Sequence, residues 1–181
     1  MPRPVDRRKS RTVPKSFRID ESAIRAVEVE AASLNVTPNT LVNQILKQYA
    51  EFDRFARKIK TVKISNAPFR GILLAADVDQ LINVAKTAGS SIPQAFATAK
   101  SGRVDLEAFI GHIRSLASYA QLFEFSETLD MHGRVMTLIH DFGLNWSIFL
   151  VHYVTEMFTQ IGFSPKIEMS DRSVILTLPG A

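Results

Sequence analysis

Residues 16–49 read SFRIDESAIRAVEVEAASLNVTPNTLVNQILKQY. Phe17 and Ile19 alternate with Ser16 and Arg18, and that period of two predicts one short strand within Thr12–Asp20. Pro14 has no N–H to give to a ladder, which limits the strand to a sheet edge or to its own first residues. At Asp20 the period changes. Asp20 is an N-cap residue, and Glu21 places a carboxylate in the first turn, where the helix dipole favours it. Ile24, Val27, Ala31 and Leu34 then recur at helical spacing and predict a helix of about 14 residues. Asn35 tolerates the left-handed conformation that ends a helix. Thr37 followed by Pro38 restarts one, a hydroxyl cap before a proline at the first helical position. The second helix turns Leu41, Val42, Ile45, Leu46, Tyr49 and Phe52 to its buried side. It is expected to run to about Lys60 through Phe55 and Ile59.

A lone strand leaves its backbone N–H and C=O groups unpaired, and three elements this small cannot close a core. Pairing with the same strand of a second copy resolves both problems, giving a two-stranded antiparallel ribbon on four interlocked helices. The order of basic strand, helix, short turn and helix over residues 16–49 resembles the ribbon-helix-helix (MetJ/Arc-type) DNA-binding family. Asn35 departs from the glycine that many relatives carry between the helices, and Pro14 and Lys15 depart at the start of the strand. The resemblance implies an intertwined homodimer whose ribbon enters the major groove of double-stranded DNA, where base pairs differ in their hydrogen-bonding edges. Ser16 and Arg18 take the outward parity and are the candidate base readers. Arg18 suits a bidentate pair with guanine, contributing about 1–3 kcal/mol of discrimination. Lys15 falls on the inward parity and is expected to snorkel to a phosphate. In the family the start of the second helix clamps the DNA backbone. Thr37, Asn39 and Thr40 match those positions, and the backbone N–H groups of 37–40 are expected to be free for the phosphate. A helix-turn-helix over ASLNVTPNTLVNQI is the competing motif. Its recognition helix would be apolar rather than basic, which disfavours it.

Charge divides along the chain in the same way. The net charge is +4, yet residues 1–60 carry 13 Lys/Arg against 7 Asp/Glu and residues 61–181 carry 9 against 11. A basic end on a mildly acidic body fits a polyanion-binding module joined to a second domain. Residues 1–11 read as a flexible arm in which Arg7, Arg8, Lys9 and Arg11 add salt-dependent, sequence-blind affinity. The absence of cysteine excludes a disulfide framework and thiolate zinc sites and fits a reducing, cytoplasmic setting. No apolar run nears the roughly 18 residues of a membrane span, and no apolar segment follows the basic start as in a signal peptide.

The expected organisation is therefore α+β: an arm over 1–11, a ribbon-helix-helix domain over 12–60, and a larger α+β domain over 61–181. Within the last, helical stretches are expected near 67–76, 77–88, 92–100 and 105–120, with Gly89-Ser90-Ser91 and Ser101-Gly102 as breaks. Strands are expected at 121–127 and 133–140 around Asp130-Met131-His132-Gly133, then a strongly amphipathic helix opened by Asn145. A hairpin at 166–169 and 173–178 completes a ββαββ-like unit. The stretch RVMTLIHDFGLNWSIFLVHYVTEMF, residues 134–158, resembles a domain appended to archaeal ribbon-helix-helix proteins, matched at His140, Asp141, Gly143, Trp146 and Ser147. His140, Asp141 and Trp146 form the candidate ligand site, weighed against a structural role at a sharp turn. Ser147, His140 and Asp141 are triad residue types, but closeness in sequence is no evidence of triad geometry. No metal-ligand spacing, phosphate loop or cofactor motif stands out, and no enzymatic activity or cofactor is expected. The expected function is a dimeric, sequence-specific transcriptional regulator, a nucleoid-associated repressor type, whose second domain oligomerises or senses a small-molecule or protein effector. A chromatin architectural protein of low sequence preference and an antitoxin-type autorepressor are the alternatives.

Overall fold

The computed structural model describes residues 12–130 and 133–179. The arm cations Arg7, Arg8, Lys9 and Arg11, and Met131 and His132 of the expected turn, lie outside them. The chain divides into two compact units between Ile45 and Leu46.

In the first unit, residues 12–20 form neither helix nor strand. The expected strand has no neighbour in a single chain, and a strand without a partner has no ladder to join. α1 (Glu21–Ser33) starts at Asp20, whose carboxylate accepts from the amides of Ser22 at 2.9 Å and Ala23 at 3.4 Å. It stops in a Schellman arrangement. Asn35 takes φ 54°, its amide reaches the Ala32 carbonyl at 3.2 Å, and the Val36 amide reaches Ala31 at 2.9 Å. α2 (Pro38–Gln48) follows, capped by Thr37, whose Oγ1 accepts from the Thr40 amide at 3.1 Å.

The second unit begins within α2, earlier than the boundary expected near Lys60. A π-turn (Tyr49–Asp53) and α3 (Arg54–Ala56) carry Phe52, Phe55 and Ala56 into a cluster with Phe96, and those contacts tie the segment to the second core. α4 (Asn66–Ala75), α5 (Val78–Ser101) and α6 (Leu106–Ser115, followed by a π-turn over Leu116–Ala120) come next. Then come β1 (Glu124–Asp130), β2 (Gly133–Ile139), α7 (Leu144–Thr159), β3 (Lys166–Met169) and β4 (Ser173–Pro179). The four strands form one antiparallel sheet in the order β1-β2-β4-β3, so the chain is α+β with a ββαββ unit at its end.

Alternation decides which sheet face is covered. Met136 and Leu138 on β2 stand opposite Leu176 and Val174 on β4, and all four are buried in one core with Leu150, Val154, Met157 and Phe158 of α7. α7 packs on α5 as well as on β3 and β4. Hence it is buried almost all round rather than strongly amphipathic, with Leu144, Thr155 and Thr159 as its exposed positions.

Three local expectations are corrected. Gly89-Ser90-Ser91 does not break a helix, because α5 runs through it and through Pro93. The Ser90 and Ser91 hydroxyls bond back to the Thr87 carbonyl at 3.0 and 2.8 Å, keeping both residues inside the helix. Strand β1 starts at Glu124 rather than 121, since Gln121 takes φ 54° after the π-turn and Phe123 is buried. Asn145 does not open α7. Gly143, at φ 86°, is the N-cap, and the Asn145 side chain instead donates to the Leu73 carbonyl at 2.7 Å.

Candidate nucleic-acid interface and cavity

Lys15, Ser16 and Arg18 are exposed, as both parities of the expected strand are in the single chain. Phe17 is 69% and Ile19 50% exposed, so the alternation has nothing to sort against within one copy. The helices beside it show the same pattern. Among the described residues of the first unit Ala31 and Leu41 alone are buried, whereas Leu34 is 53% and Ile45 49% exposed. Asp20 is held below the usual carboxylate range, first by the Ser22 hydroxyl and then by the Ser22 and Ala23 amides.

At the start of α2 the expected row of free amides is shorter than the sequence suggested. Pro38 has no N–H, and the Thr40 amide is occupied by Thr37 Oγ1. The two hydroxyls of Thr37 and Thr40 also share a hydrogen bond of 2.8 Å. Thr37, Asn39 and Thr40 all remain exposed, with the Asn39 amide the one in the first turn without a bond among the described residues.

The histidine site is a different matter. His140 follows β2 and is buried. Its backbone amide donates to the Arg172 carbonyl at 2.9 Å, its Nδ1 accepts from the Phe142 amide at 3.3 Å, and its Nε2 lies 2.9 Å from Ser147 Oγ. Burial, foremost, and the Arg172 charge lower its pKa against the opposing pull of Asp141 and Asp171. A neutral ring whose Nδ1 accepts carries its proton on Nε2, which therefore donates to Ser147. Asp141 pairs with Arg172 on the surface and does not orient the ring. Ser147 is fully buried.

Trp146 stands apart from the other two candidates. It stacks on Phe149 with centroids 4.9 Å apart, and its Nε1 donates to the Leu122 carbonyl at 3.3 Å. His140 and Asp141 instead border an open cavity of about 940 Å³ at one end of the sheet. Its walls come from the start of α4, the end of α6 with its π-turn, the start of β1, the end of β2 and Arg172 of the β3–β4 turn. Sequence reasoning missed Arg70, Arg114 and Gln121, which also line it. A second buried histidine was likewise missed. His112 Nε2 lies 2.8 Å from the Tyr153 hydroxyl, and burial together with Lys100 lowers its pKa to about 4.

No group of three or more metal-ligating side chains occurs among the described residues, and no described helix is long and apolar enough to cross a membrane. No protein-family model, curated protein or solved structure matches the chain.

Proposed function

We propose that the chain is a dimeric, sequence-specific DNA-binding transcriptional regulator of the ribbon-helix-helix type. One observation carries the proposal: the first unit holds a basic segment of alternating apolar residues and two helices, and Phe17, Ile19, Val29, Leu34 and Ile45 are about half or more exposed in one copy. Phe17, Ile19, Leu34 and Ile45 fit a core completed by a second copy. Full burial of side chains of this size contributes about 1.5–3 kcal/mol each, and a single copy forgoes much of it. In that dimer Phe17 and Ile19 turn inward, and the same alternation puts Ser16 and Arg18 on the outer face of the ribbon. Thr37, Asn39 and Thr40 position phosphates through hydroxyls and the Asn39 amide rather than through a full row of amides. The arm supplies sequence-blind affinity.

The second unit has its own core, which favours a regulator over an antitoxin with a short disorder-prone tail. Ser147 is inaccessible and faces the protonated nitrogen of His140, an arrangement suited to holding a turn rather than to nucleophilic attack. Selection of bound sequences from random duplex DNA at two salt concentrations tests the function. A palindromic or tandem half-site that survives the higher salt, with Arg18→Ala relaxing preference at one position per half-site, is the expected result. Binding without any motif, lost steeply with salt, would make the chain an architectural chromatin protein, and no binding would end the proposal.

A further inference from the structure

The cavity beside His140 has the size and lining of a small-molecule site, since ligand pockets run to roughly 300–1,000 Å³ with mostly apolar walls and a few polar anchors. Ala67, Ala117, Leu122, Phe125 and Phe142 supply the apolar wall. Three arginines line it, Arg70, Arg114 and Arg172. Arg172 is paired with Asp141 and Arg114 with Glu127, but Arg70 has no carboxylate partner among the described residues. A guanidinium offers five donors in a planar fork, the geometry that receives a carboxylate. Against these stand two bordering carboxylates, Asp141, already paired, and Glu124, on the first residue of β1. With Arg172 offset by Asp141 and Arg114 by Glu127, Arg70 and Glu124 are the two charges of the lining left without an ion pair among the described residues.

We infer that this cavity binds a small organic monoanion, an apolar body with one carboxylate, whose carboxylate is received by Arg70. The body lies along the Ala67–Phe142 wall, and Arg114 and Arg172 keep their own carboxylate partners. Glu124 is the like charge that such a ligand must keep away from. All the residues invoked belong to the second unit, so the site stands whether or not the first unit binds DNA.

The probe is 4-phenylbutyrate, with 4-phenylbutanol as its uncharged counterpart, titrated into the isotope-labelled full chain and followed by amide and indole chemical shifts. Trp146 is the sole tryptophan, and its indole donates to Leu122 of the cavity wall, so its N–H resonance reports occupancy. The acid should saturate, moving the amides of Leu122 and Phe142 and the Trp146 indole, and should bind at least about fivefold more tightly than the alcohol. Arg70→Gln should remove that preference. Glu124→Gln should tighten the acid about two- to threefold by deleting a like charge. Both side chains are exposed and without an ion pair among the described residues, so both variants should fold. Equal binding of acid and alcohol, shifts confined to the first unit, or failure to saturate would overturn the proposal. So would weakening by Glu124→Gln, which would assign the cavity to a zwitterion whose ammonium group needs that carboxylate.

Discussion

Gly89 of α5 packs against the backbone of α7. A methyl group placed on it would sit 2.4 Å from the Tyr153 carbonyl oxygen and 3.1 Å from Glu156 Cβ. Neither is the loose end of a side chain, so relief requires the two helices to separate by more than about half an ångström in a close-packed interior. Overpacking of this kind costs about 1–3 kcal/mol, and the propensity gain of alanine over glycine in a helix returns about 1 kcal/mol. Separation also thins the contacts of Tyr153 and Val154, so Gly89→Ala is expected to destabilise by about 2 kcal/mol. Gly111 in α6 is the control, because a methyl group there meets nothing within 4 Å. Gly111→Ala should stabilise by about 0.5–1 kcal/mol through backbone entropy alone. Urea unfolding followed by far-ultraviolet circular dichroism reads both, with the slope unchanged if only the native contacts differ. If Gly89→Ala were as stabilising as Gly111→Ala, the close crossing of α5 and α7 would be refuted, and with it the frame that carries His140, Ser147 and Trp146.

Two further outcomes are expected. Phe17→Ser with Ile19→Ser should convert a dimer to a monomer by sedimentation, leaving the second unit's circular dichroism in place; retention of the dimer would show that the ribbon core does not hold it. His112 is neutral in its core, with its pKa lowered to about 4 from the ordinary 6.5. Its contribution is therefore full above pH 6.5 and is lost as pH falls toward 4, on the order of 3 kcal/mol in all. His112→Gln should flatten that acid limb, and a wild-type-like loss between pH 6.5 and 4.5 in urea midpoints would exclude His112 as its source.

Much of the fold was legible because local rules and tertiary packing agree. Asp20 caps α1, Asn35 takes the left-handed stop, and Thr37 caps α2 where the sequence puts each. The hairpins around α7 follow the alternation of Met136, Leu138, Val174, Leu176 and Leu178. Expectations failed where packing outweighed a local preference. Gly89 reads as a breaker in isolation, yet it is the residue small enough to let α7 approach. Asn145 reads as a cap, yet its amide is better used on the Leu73 carbonyl at the end of α4. Phe52 and Phe55 continue the pattern of α2 and read as part of the first domain. Their partner Phe96 lies more than forty residues away in α5, and no periodicity reports such a partner.

The candidate sites divide along the same line. Ser16 and Arg18 rest on the parity of a strand that residues 12–20 do not form in the single chain, because a ribbon needs its partner strand. The cavity was half legible. His140 and Asp141 are marked by their place at a strand end, but their chemistry is turned inward to Ser147 and sideways to Arg172. The group that makes the cavity a receptor for an anion is Arg70, one cation in the apolar run NAPFRGILLA. On a helix of that composition a lone arginine reads as a solvated face. It becomes a site only because α4, the end of α6 and the ends of β1 and β2 converge on the same space. Charge at such a place is set by which neighbours are already paired. Arg172 and Arg114 each have a carboxylate and Arg70 has none among the described residues, a distinction that exists only after the chain has folded.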